Sequence, residues 1–99
     1  MDSQKLILNW QGIDIHIHFI GNYSKVIKAI QGFNLAHIEV KANEPLPLTE
    51  RGYRSIFLPF NEVFEQGGVV PFITKALDET AQSSKWKRYW KERQQLSLF

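Results

Sequence analysis

Two stretches near the start of the chain carry the pattern of paired β-strands. Residues 5–10 form a short apolar run that ends at Gln11-Gly12, a dipeptide that signals a turn. Residues 13–19 then alternate strictly, with isoleucine and phenylalanine on one side and polar residues on the other. This period of two predicts a β-hairpin whose second strand has one buried face.

Two more strands are predicted further along the chain. Residues 35–42 alternate again, and residues 53–58 are predicted as a fourth strand that Pro59 ends. The segment between them contains Glu-Pro-Leu-Pro at residues 44–47, which cannot lie inside a sheet because neither proline has an N–H to donate. Before the third strand, Ser24 is a candidate N-cap for a short helix that reaches Ile30.

Helical spacing begins after the glycines at residues 67–68. Pro71 suits the first turn of a helix, and an apolar stripe follows it at Phe72, Ile73, Ala76, Leu77 and Thr80. Residues 85–94 continue as a second helix, in which Trp86, Tyr89 and Trp90 share one face. Because the strands precede these helices, we predict an α+β fold: a four-stranded antiparallel sheet followed by two C-terminal helices on one face.

Composition adds limits on size and chemistry. A chain of 99 residues fits a single domain, which we place at residues 1–94, followed by a separate peptide at residues 95–99. The absence of cysteine excludes a disulfide scaffold, a thiolate zinc site and a cysteine nucleophile. The sequence carries neither a signal-peptide pattern nor an apolar run of about 20 residues, so we expect a cytoplasmic protein without a membrane partner.

The net charge of +2 is distributed unevenly, because residues 85–93 alone carry +4. Cations alternate there with aromatic rings, which suggests a nucleic-acid-binding or antirestriction-like module in which cations contact phosphates and rings stack on bases. The alternative is that the rings seal the core while the cations face water, and the two interpretations are compatible. The candidate DNA-binding residues are Lys85, Lys87, Arg88, Lys91 and Arg93.

The last five residues are Gln95, Leu96, Ser97, Leu98 and Phe99. They resemble the Gln-Leu-Ser/Asp-Leu-Phe motif with which bacterial polymerases, mismatch-repair proteins and clamp-loader subunits bind the sliding clamp, the beta subunit of DNA polymerase III. The resemblance implies that Leu98 and Phe99 fill a hydrophobic cleft on the clamp, that Gln95 makes the polar contact, and that Leu96 makes a secondary one. Ser97 occupies the tolerant middle position.

Two apolar residues at a chain end are difficult to bury internally, since termini are usually loose unless they are tied down. Each gains about 1.5–3 kcal/mol on entering an apolar pocket. The alternative is that these residues fold back on the protein's own core. The leading hypothesis is a non-enzymatic adaptor or inhibitor that binds the clamp through residues 95–99.

The polar sides of the predicted strands carry a candidate metal site. His16, His18, His37 and Glu39 could cluster around Zn²⁺ if their strands are neighbours, which would suit a small metal-dependent enzyme. The alternation is equally explained if these four residues lie on the solvent-exposed face of a half-buried sheet. We find no nucleophile motif or phosphate loop, and we expect no cofactor.

A dense cluster of polar side chains flanks Gly52. A turn at Gly52 would expose this cluster, either for recognition of a partner or only for contact with solvent. The cluster consists of Glu50, Arg51, Tyr53 and Arg54.

The body of the chain also resembles a group of small uncharacterised proteins from bacterial plasmids, phages and integrated elements. The segments that carry this resemblance are residues 9–13, 36–39 and 45–55. Residues 21–34 depart from the pattern. The group implies no activity, and it suggests a mobile-element context compatible with access to the replication machinery.

Overall fold

The computed structural model describes the backbone of residues 3–96 and the side chains of residues 3–93. In this part of the chain, no helix is both long enough and apolar enough to cross a membrane. The elements in chain order are β1 (Ser3–Trp10), β2 (Ile13–Ile20), α1 (Lys25–Gln31), β3 (Leu35–Lys41), β4 (Tyr53–Pro59), α2 (Phe60–Glu65), α3 (Val69–Thr80) and α4 (Ser84–Leu96).

The four strands form one antiparallel sheet in the order β1-β2-β3-β4. Its inner face is buried and carries Trp10, Ile15, Ile17, Ile38 and Val40. The three helices that follow β4 contribute Val63, Ile73, Leu77 and Trp86 to the same core. The predicted α+β fold is therefore confirmed, with helices after the sheet.

Alternation places the other side chains on the outer face of the sheet, which carries Lys5, His18, His37, Glu39 and Phe57. The strand register aligns these residues in rows across the strands. Lys5 lies opposite His18 and His18 opposite Glu39, while His37 lies opposite Phe57. The outer face is thus an ordered array of polar and aromatic groups, separate from the core.

The β1–β2 connection is a two-residue turn. Gln11 and Gly12 both have positive φ, 49° and 83°, which fits the type I′ geometry that matches the twist of a hairpin. Asn9 supports the turn from the first strand: its Oδ1 accepts from the Gly12 N–H at 3.2 Å, and its Nδ2 donates to Asp14 at 3.0 Å. The predicted hairpin is confirmed.

The β3–β4 connection is a longer loop held to the body by one buried side chain, Leu46. The loop closes where the Ala42 N–H donates to the Gly52 carbonyl at 2.7 Å. A Cβ on Gly52 would lie 2.7 Å from the Ala42 oxygen and 2.9 Å from the Glu44 oxygen, and φ there is +74°. The close backbone approach and the left-handed conformation both require glycine at this position.

Two short helices flank the middle of the chain. Helix α1 confirms the predicted cap, since the Ser24 hydroxyl accepts from the Ile27 N–H at 3.2 Å, and none of its residues is buried. Helix α2 was not predicted, because it starts directly after Pro59 at the end of a strand and spans six residues. Its apolar residues Phe60, Val63 and Phe64 have helical spacing, but six residues are too few to establish a helical period.

Helix α3 begins directly after the glycines at residues 67–68, and Pro71 is its third residue, in the first turn as predicted. Proline is tolerated at this position because the first four backbone N–H groups of a helix have no hydrogen-bond partner within the helix. The buried positions are Val69, Ile73 and Leu77, whereas Phe72 is half-buried at the border of the stripe.

Candidate functional site

The first half of α4 is anchored in the core by a stack of aromatic rings centred on Trp86. The Trp86 ring centroid lies 6.0 Å from that of Trp10, 5.2 Å from Tyr89 and 5.8 Å from Trp90. Trp10 is itself fixed, because its Nε1 donates to Asp78 at 2.9 Å. Trp86 is buried, and Tyr89 and Trp90 are half-buried, so this face of α4 seals the core.

Two of the five candidate DNA-binding residues hold α4 against the β3–β4 loop. The Arg93 guanidinium pairs with Glu44 at 2.6 Å and lies 5.0 Å from the centre of the Trp90 ring. At the other end of the loop, Lys85 pairs with Glu50. These contacts connect both ends of the loop to α4, so both cations already have a structural role.

The other three basic candidates, Lys87, Arg88 and Lys91, form what we call the basic face of α4. They are exposed, and because Lys91 follows Arg88 by three residues and Lys87 by four, they share one side of the helix, away from Trp86. Within residues 3–93 none of the three is in an ion pair. Beside them, Trp90 lines a depression of about 220 Å³ together with Gln11 and Gln82.

The predicted clamp-binding peptide begins inside α4. The helix extends to Leu96, so the backbone of Gln95 and Leu96 is helical. Ser97, Leu98 and Phe99, which include both predicted anchors, lie outside the described residues.

The candidate metal ligands lie on the outer face but do not converge. His18 Nδ1 is 3.6 Å from a Glu39 oxygen. His16 pairs with Lys41 in the register, so it lies four positions from the row of His37, about 13 Å along the strands. Within residues 3–93 no group of three or more histidine and carboxylate side chains is arranged to hold a metal ion.

Most of the polar cluster around Gly52 makes contacts within the protein. Arg54 Nη1 donates to the Leu48 carbonyl at 3.1 Å, and Glu50 is the partner of Lys85, while Arg51 is exposed. The Tyr53 hydroxyl donates to Glu39 at 3.1 Å. This hydrogen bond raises the pKa of Tyr53, because a phenolate could not donate it; desolvation and the neighbouring negative charge act in the same direction.

The structure brings the candidate metal ligand His37 together with two aromatic residues that the sequence patterns did not single out. Tyr23, His37 and Phe57 meet at one end of the outer face, where the His37 and Phe57 rings stack with centroids 4.4 Å apart. One signal was available: Phe57 is a large apolar residue in the polar register of β4, two positions after Ser55. Tyr23 gave no such signal, because it lies in a connection rather than a strand.

Comparison with known proteins identifies the body of the chain. No curated protein and no solved structure matches it significantly. A protein family described as KlcB third domain matches residues 3–86, which include all four strands and α1 to α3 and end at the anchoring Trp86. The basic face and the terminal peptide follow this range. Since the match covers most of the chain, the protein belongs to the KlcB third domain family.

Proposed function

We propose that this protein is a non-enzymatic cytoplasmic adaptor or inhibitor that binds the bacterial sliding clamp through residues 95–99. The observation that carries the proposal is the complete five-residue motif at the end of a helix that is anchored elsewhere. Trp86 and the ion pairs of Lys85 and Arg93 hold α4 at positions before Gln95, and the family match stops at residue 86. The motif therefore follows both the matched range and the described contacts that hold α4.

The clamp interaction is tested by titrating purified bacterial sliding clamp with the full chain and with a Leu98→Ala/Phe99→Ala variant. Loss of two apolar anchors, each contributing about 1.5–3 kcal/mol, is expected to weaken binding by about 10²- to 10⁴-fold. Calorimetry or fluorescence anisotropy measures this directly. The matched control is Ser97→Ala, which alters the tolerant position and is expected to bind within about twofold of the parent.

The same pair of variants separates the two alternatives for the peptide. If Leu98 and Phe99 bind the clamp, their replacement leaves the free energy of unfolding unchanged, since alanine removes no internal packing. A protein that binds clamp equally well with and without both anchors contradicts the proposal. A double variant that is destabilised by more than about 2 kcal/mol would instead assign the anchors to the core.

A second candidate function is DNA binding by the basic face of α4. The observation that favours it is the absence of any ion pair to Lys87, Arg88 or Lys91 within residues 3–93, although acidic side chains neutralise their neighbours Lys85 and Arg93. Unpaired cations on one side of a helix attract phosphates and release counterions from the duplex.

This second function predicts a salt-dependent affinity for duplex DNA. A Lys87→Gln/Lys91→Gln variant is expected to flatten the slope of log K against log salt by about 1.8, because each phosphate contact contributes about 0.9. Lys75→Gln, on the exposed side of α3, is the control and is expected to leave the slope unchanged. DNA affinity that does not respond to salt would exclude this function.

A further inference from the structure

The outer face of the sheet exposes aromatic rings that the fold does not need for its core. Phe57 is 51% exposed and Tyr23 is 44% exposed, although both rings contact His37. Their centroids lie 5.2 Å apart at an edge-to-face angle of 66°. Large apolar rings held open to water at fixed positions are suited to stacking against planar ligands.

His37 gives this aromatic group a fixed geometry. The imidazole is only 7% exposed, it stacks on Phe57 at an interplanar angle of 20°, and its Nε2 shares a hydrogen bond of 2.6 Å with the Ser55 hydroxyl. Its other ring nitrogen, Nδ1, is buried without a hydrogen-bond partner. A buried polar atom left unpaired costs free energy, and a ligand that supplies a partner would recover it.

Two lysines lie on the same face, Lys5 in the row two positions and Lys41 in the row four positions along the strands from the row of His37 and Phe57. Lys5, Lys41, His16 and His18 line a depression of about 290 Å³. Within residues 3–93 neither lysine is in an ion pair. The acidic residue in this depression, Glu39, already accepts a hydrogen bond from the Tyr53 hydroxyl, which reduces its repulsion of an anion.

We propose that the outer face binds single-stranded DNA, with bases stacked on Phe57 and Tyr23 and phosphates beside Lys5 and Lys41. A single strand is required because the bases of a duplex are stacked on one another and cannot reach the rings. The choice of DNA over RNA rests on the proposed function, which brings the chain to a clamp on DNA. This site is separate from the basic face of α4, because α4 packs on Trp10 at the inner face.

The mixture of charges and rings also favours a nucleic acid over an apolar protein partner. Ile7 is 68% exposed on β1, but the row of Lys5, His18 and Glu39 separates it from the aromatic group. An apolar partner would have to bury these polar groups without compensation. A nucleotide strand presents both a charged backbone and apolar base faces, which match the charged and the aromatic rows of side chains on the outer face.

The test measures binding of the full chain to fluorescein-labelled oligothymidylate by anisotropy. Phe57→Ala and Tyr23→Ala are each expected to weaken binding by about 5- to 150-fold, the range for loss of one stacked base. Phe57→Trp retains a stacking surface and is expected to keep the affinity. The control is Phe64→Ala, which removes an exposed ring from α2 outside the outer face and is expected to stay within about twofold of the parent.

Several results would overturn the proposal. It fails if Phe57→Ala and Tyr23→Ala bind oligothymidylate as tightly as Phe64→Ala does. In a Lys87→Gln/Lys91→Gln background, which weakens the basic face of α4, it also fails if duplex DNA or oligouridylate binds as tightly as oligothymidylate. It also fails if Phe57→Ala changes the oligomeric state of the protein in solution and leaves its affinity for oligothymidylate unchanged, since the outer face would then bind a second copy of the chain. Clamp titration of Phe57→Ala, expected to match the parent, separates failure of this site from failure of the terminal peptide.

Discussion

Replacement of Trp86 by alanine is expected to lower the free energy of unfolding by about 3–5 kcal/mol, the usual cost of removing a buried tryptophan from a core. The loss is large because Trp86 contacts Trp10, Tyr89 and Trp90 at once and joins α4 to the sheet. For a chain of this length the whole stability is about 5–15 kcal/mol, so the variant is close to unfolding. Urea denaturation followed by circular dichroism measures the change.

Two companion variants make the Trp86 result interpretable. Lys87→Ala changes the adjacent residue on the exposed side of α4 and is expected to alter stability by less than about 0.5 kcal/mol. Trp86→Phe keeps part of the ring packing, so its free energy of unfolding is expected to lie between those of the parent and the alanine variant. It can be measured even if the alanine variant does not fold. A loss below about 1 kcal/mol for Trp86→Ala would contradict the anchoring role.

Gly52→Ala is expected to destabilise the protein by about 2–5 kcal/mol, from two separate causes. A left-handed conformation costs a residue with a side chain about 1–2 kcal/mol. The added Cβ also meets the carbonyl oxygens of Ala42 and Glu44 at 2.7 and 2.9 Å, and forcing backbone apart in a packed loop costs about 1–3 kcal/mol. Thermal or urea unfolding measures the sum.

The matched control for this prediction is Gly12→Ala. Gly12 has a similar φ of +83°, but a Cβ there would have no atom within 4 Å. Gly12→Ala therefore reports the conformational cost alone, about 1–2 kcal/mol, and the difference between the two variants isolates the clash in the loop. Equal losses for the two glycines would show that the β3–β4 loop moves aside without cost.

The sheet was predictable from the sequence because its residues obey one simple rule. Strict alternation at residues 13–19 and 35–42 assigns each side chain to a face, and the structure keeps those assignments. The face shared by Trp86, Tyr89 and Trp90 followed from helical spacing in the same way. These patterns are local, so they can be read without knowledge of the partners that cover each face.

The features that the sequence did not reveal depend on contacts between distant residues. Helix α2 has one buried residue, and the stacking of His37 on Phe57 depends on a register that joins residues 20 positions apart. Likewise, no local pattern shows that Glu44 and Glu50 neutralise Arg93 and Lys85 while the basic face keeps its charge. Pairing across the fold decides which candidate groups stay available for ligands.

The continuity of α4 has a geometric consequence for the proposed adaptor. Its 13 residues extend about 20 Å as a single helix, so a partner bound at the far end would sit at a set distance from the sheet. A flexible tether would let the two bodies sample many orientations, whereas a helical rod fixes their relative rotation, which changes by about 100° for each residue of its length. The number of residues in α4 would then determine the rotation of the sheet about the helix axis relative to a bound clamp.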